Sequence, residues 1–335
     1  MSLKVANTIV ITDDLRGRFA NTTFTGGAYL VMPEDPSVEY QFQGTISGYT
    51  SGGASSPHPT ASTTIDKFPF TVDANATDVG DLTQARHSAS GQSSKAHGYS
   101  SNGRTDPGTR VNTIDKFPFA VDTNASDVGD TTQERSEPSG HSSSTTGYNG
   151  GGFAPPGRSN IIDRFPFASD NNSTDVGDMT SARNALSGNS SRVNGYITSG
   201  DPGNNIIEKF PFSADTNSGD VGDLSQGRSN PAGQSSETFG YTSGGRAPPP
   251  EVNTIDKFPF ASDADATDVG DLSQARNGPA GQSSTTFGFA SGGADNPVST
   301  GPFETIDKFP FATDTNAVSV GNLTQSRYVV AGQQR

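Results

Sequence analysis

The sequence contains no cysteine and no tryptophan, and it has only three methionines and four histidines in 335 residues. Without cysteine the chain forms no disulfide and offers no thiolate to a metal ion, and its redox compartment cannot be inferred. Basic residues are also scarce, 22 against 36 acidic residues, so the formal net charge is −14. This balance disfavours a nucleic-acid partner, because binding to the phosphate backbone depends on lysine and arginine.

Long apolar runs are missing as well. No run approaches the roughly 18 residues of a transmembrane helix, so no membrane span is expected. The run Ile9 to Ile11 is too short for a signal peptide, and Asp13 and Asp14 follow it at once. If the protein works outside a cell, we expect it to leave by cell lysis or by assembly into a larger particle.

One six-residue motif, Ile-Asp-Lys-Phe-Pro-Phe, dominates what is present. Its copies begin at Ile65, Ile114, Ile162, Ile207, Ile255 and Ile306, at intervals of 49, 48, 45, 48 and 51 residues. A period of this length indicates a repeat architecture. The 40 glycines and 22 prolines alone would suit a disordered chain, but each unit repeats the same apolar positions, which argues against disorder.

Each unit reads as four short strands between turns. In the best-formed unit we predict strands over 232–236, 238–243, 254–262 and 267–276. A helical repeat is excluded, because glycine or proline interrupts every piece within about ten residues. Four short strands in a unit of about 45 residues are typical of a propeller blade.

The two ends of the chain are out of phase with the repeat. The first unit starts at its second strand, and the chain ends on an unpaired first strand, 329–334. In a ring these pieces complete one blade and remove the free sheet edges. The sequence therefore predicts an all-β fold, a six-bladed β-propeller over 44–335 that is closed by pairing of its N- and C-terminal strands.

Residues 1–43 lie outside the repeat. We predict strands over 5–12, 21–24 and 28–32, in a segment too short to bury a core of its own. We expect this arm to attach the propeller to another copy of the chain or to another protein. The alternative is an unstructured leader.

Aromatic residues recur at fixed positions. Phe68 and Phe70 alternate with Lys67 and Pro69, so both rings share a face, and we expect such pairs to pack between neighbouring blades. A second set is either blade core or exposed platforms for stacking on sugars. Core is favoured, because one member lacks the hydroxyl: Tyr49, Tyr99, Tyr148, Tyr196, Tyr241 and Phe289.

Charged residues recur too. Six arginines, at 86, 135, 183, 228, 276 and 327, match six acids in number, at 66, 115, 163, 208, 256 and 307. They either pair between blades or face solvent. The acidic turns, densest at Asp263 to Asp271, resemble calcium loops but lack the closing glutamate of an EF-hand, so Asx turns are favoured. The histidines, at 58, 87, 97 and 141, have no ligand spacing and are expected at the surface.

The loops after the second strands differ most between units. They span about 54–62, 104–111, 150–159, 201–205, 246–252 and 294–303. All should emerge on one side of the ring, where repeat proteins often build a binding face. Neutral drift in solvent is the alternative.

The repeat resembles the kelch repeat, with a Gly-Gly after the second strand and a stretch Asp-Val-Gly-Asp-Leu-Thr-x-Ala-Arg after the third. Valine stands where kelch repeats have tryptophan, at 79, 128, 176, 221, 269 and 320. Kelch-type copper oxidases use a cysteine-modified tyrosine, and propeller sialidases carry tryptophan-containing Asp boxes. The missing cysteine and tryptophan argue against both.

The repeats, together with the start from Leu3 to Asp14, also resemble tail-fibre-like and other virion structural proteins of marine phages. That resemblance implies a non-enzymatic virion component, located on the extracellular particle, which contacts a host-surface glycan or protein. Its partners would be other virion proteins, or copies of itself through residues 1–43. The alternative is a free extracellular propeller that binds glycans or self-assembles into filaments. We predict no catalytic, cofactor or metal site, and the sequence assigns no binding residue.

Overall fold

The computed structural model describes residues 4–5, 8–9, 42–55, 60–247, 250–295 and 301–335. The chain divides into two compact units, Met1–Glu39 and Tyr40–Arg335, close to the predicted boundary at residue 43. In the first unit, Lys4–Val5 pairs antiparallel with Thr8–Ile9. The single strand predicted over 5–12 is therefore wrong, because Val5 and Thr8 belong to two different strands that pair with each other. The strands predicted over 21–24 and 28–32 lie outside the described residues.

The second unit is a six-bladed β-propeller. Each blade is a four-stranded antiparallel sheet, and blades are numbered here by the order of their third strands. The innermost strands of blades 1 to 6 are Ala331–Gln334, Ser90–Ser93, Ser139–Ser142, Ser187–Ser190, Ala232–Ser235 and Ala280–Ser283. The second strands are Ser47–Ser51, His97–Ser101, Thr146–Gly150, Asn194–Thr198, Phe239–Ser243 and Phe287–Ser291. The third strands are Thr64–Pro69, Thr113–Pro118, Ile161–Pro166, Ile206–Pro211, Thr254–Pro259 and Thr305–Pro310. The outer strands are Thr77–Asp81, Ser126–Asp130, Thr174–Asp178, Gly219–Asp223, Thr267–Asp271 and Val318–Asn322.

The first and last strands of the second unit share blade 1, as predicted. The last strand, Ala331–Gln334, pairs antiparallel with Ser47–Ser51. It also contacts the innermost strands of blades 2 and 6, so the six innermost strands form a continuous ring. Two short ribbons decorate the ring, Ala54–Ser55 with Thr60–Ala61, and Phe153–Ala154 with Gly157–Arg158.

The predicted strands are confirmed in number, but they are shorter than expected. The third strand of blade 5 ends at Pro259, and its outer strand ends at Asp271 instead of residue 276. Proline has no backbone N–H to continue a ladder. Beyond Asp271 the chain leaves the sheet and carries Arg276 inward between blades 5 and 6, where it is fully buried.

The antiparallel order gives the ring two faces. The variable face carries the six loops between second and third strands. The arm face carries the turns between innermost and second strands, and the first described residues of the propeller lie there. Gln43 donates from Nε2 to the carbonyl oxygen of Ser235, and Gln334 donates to that of Phe42. The propeller chain thus begins near the arm-face ends of the innermost strands.

Aromatic packing holds adjacent blades together. Tyr49 of blade 1 stacks on Phe119 of blade 2 with ring centroids 4.9 Å apart, and Phe117 packs against it at 5.5 Å. The same arrangement recurs around the ring and closes where Phe289 of blade 6 meets Phe68 and Phe70. The predicted inter-blade role of the phenylalanine pairs is confirmed. Each such contact contributes about 0.5–1.5 kcal/mol beyond burial.

Glycine is required beside these rings. Gly48 lies opposite Phe68 across the ladder, and a Cβ on Gly48 would come within 2.5 Å of that ring. The two residues of the Gly-Tyr pair therefore have different roles. The glycine leaves room for the phenylalanine ring of its own blade, and the tyrosine packs against the next blade.

Two rings of contacts join the six innermost strands around the central axis. Each innermost strand has a glycine whose added Cβ would lie 2.0–2.3 Å from the carbonyl oxygen of the equivalent glycine in the preceding blade: Gly91, Gly140, Gly188, Gly233, Gly281 and Gly332. Below them, backbone N–H groups donate to side-chain oxygens of the next blade. This second ring closes through Ser93, Ser142, Ser190, Ser235, Ser283 and Gln334.

Candidate binding face and the repeated polar residues

The six arginines do not face solvent. Each reaches from the loop after an outer strand to the acid on the third strand of the next blade, and the pairing closes the ring. The pairs are Arg86–Asp115 at 3.0 Å, Arg135–Asp163 at 2.5 Å, Arg183–Glu208 at 2.5 Å, Arg228–Asp256 at 2.8 Å, Arg276–Asp307 at 2.9 Å and Arg327–Asp66 at 2.6 Å. The predicted blade-to-blade pairing is confirmed.

These pairs are buried and further hydrogen-bonded. The Asp115 carboxylate also accepts from the backbone N–H and the hydroxyl of Thr83, and Arg86 also donates to the carbonyl oxygen of Ser100. Burial lowers the pKa of the Arg86 guanidinium, which Asp115 partly offsets. Removing one partner of a buried pair leaves an uncompensated charge, which costs about 3–5 kcal/mol. The repeated charges therefore belong to the frame, not to a reaction site.

The lysine position of the repeated motif makes a second, exposed set of inter-blade pairs. Lys67 lies 2.9 Å from Asp122 in the next blade, and the series continues around the ring. The remaining members are Lys116–Asp170, Arg164–Asp215, Lys209–Asp263, Lys257–Asp314 and Lys308–Asp73. Each contributes about 0–1 kcal/mol, because water screens an exposed pair.

The acidic turns are used in the same way. Asp78 accepts from the backbone N–H of Gly80 in an Asx turn, and Asn124 accepts from the N–H of Asp81 in the preceding blade. In the densest turn, Asp265 accepts from the N–H of Asp223 and Asp263 pairs with Lys209. The Asx-turn interpretation is confirmed for these turns. In the described part of the chain, no group of three or more such side chains is placed to hold a metal ion.

The tyrosine set lies in the blade core, as the sequence favoured. Tyr49, Tyr99 and Phe289 are each at most 2% exposed. Burial raises the pKa of the Tyr241 hydroxyl to about 12. Buried side chains cannot serve as platforms for a sugar, so the alternative role is wrong.

The histidine prediction is wrong for two of the four residues. His141 is fully buried, and His87 is also buried, whereas His97 is half-buried and His58 lies outside the described residues. His141 takes the place held in other blades by Gln92 or Gln234, whose amides donate to backbone carbonyls of the next blade. The alignment of the repeats carried this signal, because His141 falls at the glutamine position of the Ala-Gly-Gln-Ser-Ser motif.

His141 makes two hydrogen bonds inside the fully buried site. Nδ1 lies 3.1 Å from the carbonyl oxygen of Asn189, which accepts, and Nε2 lies 2.9 Å from the hydroxyl of Ser139. The edge of the ring meets Phe210 at 5.1 Å. Burial lowers the pKa of His141 to about 4.

At the centre of the variable face, one residue from each blade has a left-handed backbone. Their φ angles lie between 47° and 65°: Ser88, Glu137, Ala185, Asn230, Gly278 and Val329. At five of the six junctions the backbone N–H of one such residue donates to the carbonyl oxygen of its equivalent in the preceding blade, as where Glu137 donates to Ser88 and Ser88 to Val329, each at 2.8 Å. A cavity of about 60 Å³ lies here, lined by all six blades. Small-molecule sites usually occupy about 300–1,000 Å³, so this cavity suits a few waters.

The variable loops lie on one side of the ring, as predicted. In five blades an isolated bridge pairs the loop with the segment that precedes the innermost strand, as Arg104 with His87 and Phe153 with Ser136. In blade 4 the backbone N–H of Asp201 donates to the carbonyl oxygen of Asn184. Half of the prolines, 11 of 22, fall within the six loop ranges. Because proline fixes φ near −65°, a loop rich in proline loses less backbone freedom on binding than a loop without it.

Comparison with known proteins does not assign the chain to a family. No protein-family model matches the chain, and no curated protein matches it. Among the described residues, no helix is long and apolar enough to cross a membrane.

Proposed function

We propose that this chain is a non-enzymatic structural protein of a virion, a tail-fibre or other particle-surface component whose variable face contacts a host-surface glycan or protein. The kelch-like repeat and the likeness to virion proteins of marine phages, read from the sequence, motivate the particle location. One observation supports the display role: the repeated residues make structural contacts within and between blades, whereas the loops vary in length and sequence.

The repeated side chains that could take part in catalysis or binding each have a structural partner. The arginines and acids pair between blades, the aromatics pack in the core, and the turn carboxylates cap backbone N–H groups. An enzyme needs an acid, a base or a nucleophile beside a pocket. The frame supports a rigid scaffold, and the loops are the part that varies.

Exposed apolar residues support attachment through the arm face. Among the described residues, five large apolar side chains are 47–63% exposed: Ile46, Val72, Val121, Val193 and Val318. All five lie beside turns on the side opposite the variable loops, where the propeller chain also begins.

The test is the abundance of the chain in purified particles. Particles from the source, banded on a density gradient, are analysed by quantitative mass spectrometry against the unbound fraction. A fixed copy number relative to the major particle protein supports the proposal. Recovery only in the unbound fraction would favour the alternative, a free extracellular propeller that binds glycans or forms filaments.

A further inference from the structure

The variable face carries an arginine pair with no acidic partner. Most lysines and arginines of the described residues lie within 4.0 Å of a carboxylate, as expected in a chain with 36 acidic and 22 basic residues. Arg104 and Arg110, in the loop of blade 2, form no ion pair within the described ranges. They are instead direct partners in an antiparallel bridge. Like charges opposite each other destabilise a β-ribbon. The arginine pair therefore lowers the stability of this loop, and a role in binding would explain its presence.

Blade 5 provides the contrast within the same molecule. Its loop places Arg246 at the position of Arg104 and Glu251 at the position of Arg110, again as bridge partners. Both loops continue as Val-Asn-Thr into the third strand. The ribbon therefore accepts opposite charges at this position, and blade 2 carries like charges instead.

The side chains of the arginine pair are held in place. The Arg110 guanidinium carbon lies 4.4 Å from the ring centroid of Phe153, which belongs to the neighbouring loop of blade 3. Its Nε is buried and has no hydrogen-bond partner in the described part of the chain. The Arg104 guanidinium lies over Gly108, where an added Cβ would approach it to 2.8 Å. The nearby Asp106 carboxylate accepts from the N–H of Ala61 in blade 1.

We infer that Arg104, Arg110 and Phe153 form a site for the anionic group of an acidic polysaccharide, a carboxylate or a sulfate ester. Guanidinium groups bind both groups through paired hydrogen bonds, and an aromatic ring beneath one of them fixes its orientation. The inference rests on the proposed function, since it names the class of glycan that the variable face contacts. The net charge of −14 repels polyanions at long range, so binding depends on this local pair.

The experiment measures binding of the full-length chain to two matched pairs of polymers. Polygalacturonate is compared with its methyl ester, and dextran sulfate with dextran, by biolayer interferometry at 150 mM salt. Arg110→Glu is the test variant, because it recreates the Arg–Glu arrangement of blade 5. Lys95→Glu is the control, because it changes net charge equally at an exposed turn on the arm face.

We expect at least one acidic polymer to bind ten-fold or more tightly than its neutral partner, and Arg110→Glu to remove that difference while Lys95→Glu keeps it. The polymer that binds tells carboxylate from sulfate. Equal binding of acidic and neutral polymers, or equal loss in both variants, would overturn the site. Direct binding of polyglutamate, with no binding of any polysaccharide, would overturn the glycan assignment in favour of an acidic peptide. Each of these failures leaves the particle measurement untouched, so the site and the virion role fail separately.

Discussion

Replacing His141 by glutamine should make the propeller more resistant to acid. In the folded protein burial lowers the pKa of this histidine to about 4, although the hydrogen bond to the Asn189 carbonyl oxygen acts in the opposite direction. In the unfolded chain the pKa returns to about 6.5. Protons therefore bind the unfolded state more readily, and the stability that His141 contributes is present above pH 6.5 and lost as the pH falls towards 4.

The magnitude follows from the two pKa values. Between pH 8 and pH 5, this one group removes about 2 kcal/mol from the free energy of unfolding, and about 3.4 kcal/mol when its loss is complete. Glutamine fits the position, because Gln92, Gln234, Gln282 and Gln333 occupy it in four other blades. At pH 8 we expect the variant to lie within about 1 kcal/mol of the wild type, since the swap trades one buried polar side chain for another.

The assay is urea unfolding of both proteins at pH 8, 6 and 5, followed by far-UV circular dichroism. The other histidines and all carboxylates are common to both proteins, so the difference between them isolates His141. A stability gap that opens by about 2 kcal/mol between pH 8 and 5 would agree with a buried neutral histidine. Parallel pH curves for the two proteins would refute the reasoning.

Three further changes test the frame by chemical denaturation. Arg228→Met leaves Asp256 buried without its partner, and we expect a loss of about 3–5 kcal/mol; a loss under 1 kcal/mol would show that the pair is solvated. Val329→Gly removes a β-branched residue from a left-handed position with φ of 47°, and should gain about 1 kcal/mol; destabilisation would contradict the strain. Gly233→Ala puts a Cβ 2.2 Å from a carbonyl oxygen at the axis and should cost about 1–3 kcal/mol; a neutral result would mean that the axis can widen.

Much of this fold is readable from the chain, because each blade repeats the same local instructions. The period, the glycine and proline breaks and the orphan last strand are local or countable features. They were enough to predict six blades and the closure of blade 1. The phenylalanine pairs follow from strand alternation, which places Phe68 and Phe70 on one face.

What the sequence left open depends on where a side chain goes after its strand ends. Equal numbers of Arg86-type and Asp115-type residues do not reveal whether the pair meets in water or between blades. That depends on the inward path of the loop after the outer strand. The left-handed conformation of Val329 was equally hidden, because the hydrogen bond that its carbonyl oxygen accepts from Ser88 joins two blades and leaves no local signal.

The sequence predicted that the variable face is a candidate binding face, but it did not predict that Arg104, Arg110 and Phe153 come together there. The loop ranges followed from their variation between units. The relation of Arg110 to Phe153 did not, because the two residues belong to different blades and meet only through the geometry of the ring. Contacts of this kind have no period along the chain.

The most direct test of a particle-borne propeller with one displayed face is antibody labelling of intact particles. One antibody is raised against the loop of blade 2, residues 104–111, and a second against the arm-face turn at 94–96. The account predicts gold label on the particle surface and blocked host adsorption with the first antibody, and little label with the second. Two results would contradict the account. One is gold label from the second antibody alone, and the other is no label from either antibody on particles that contain the chain.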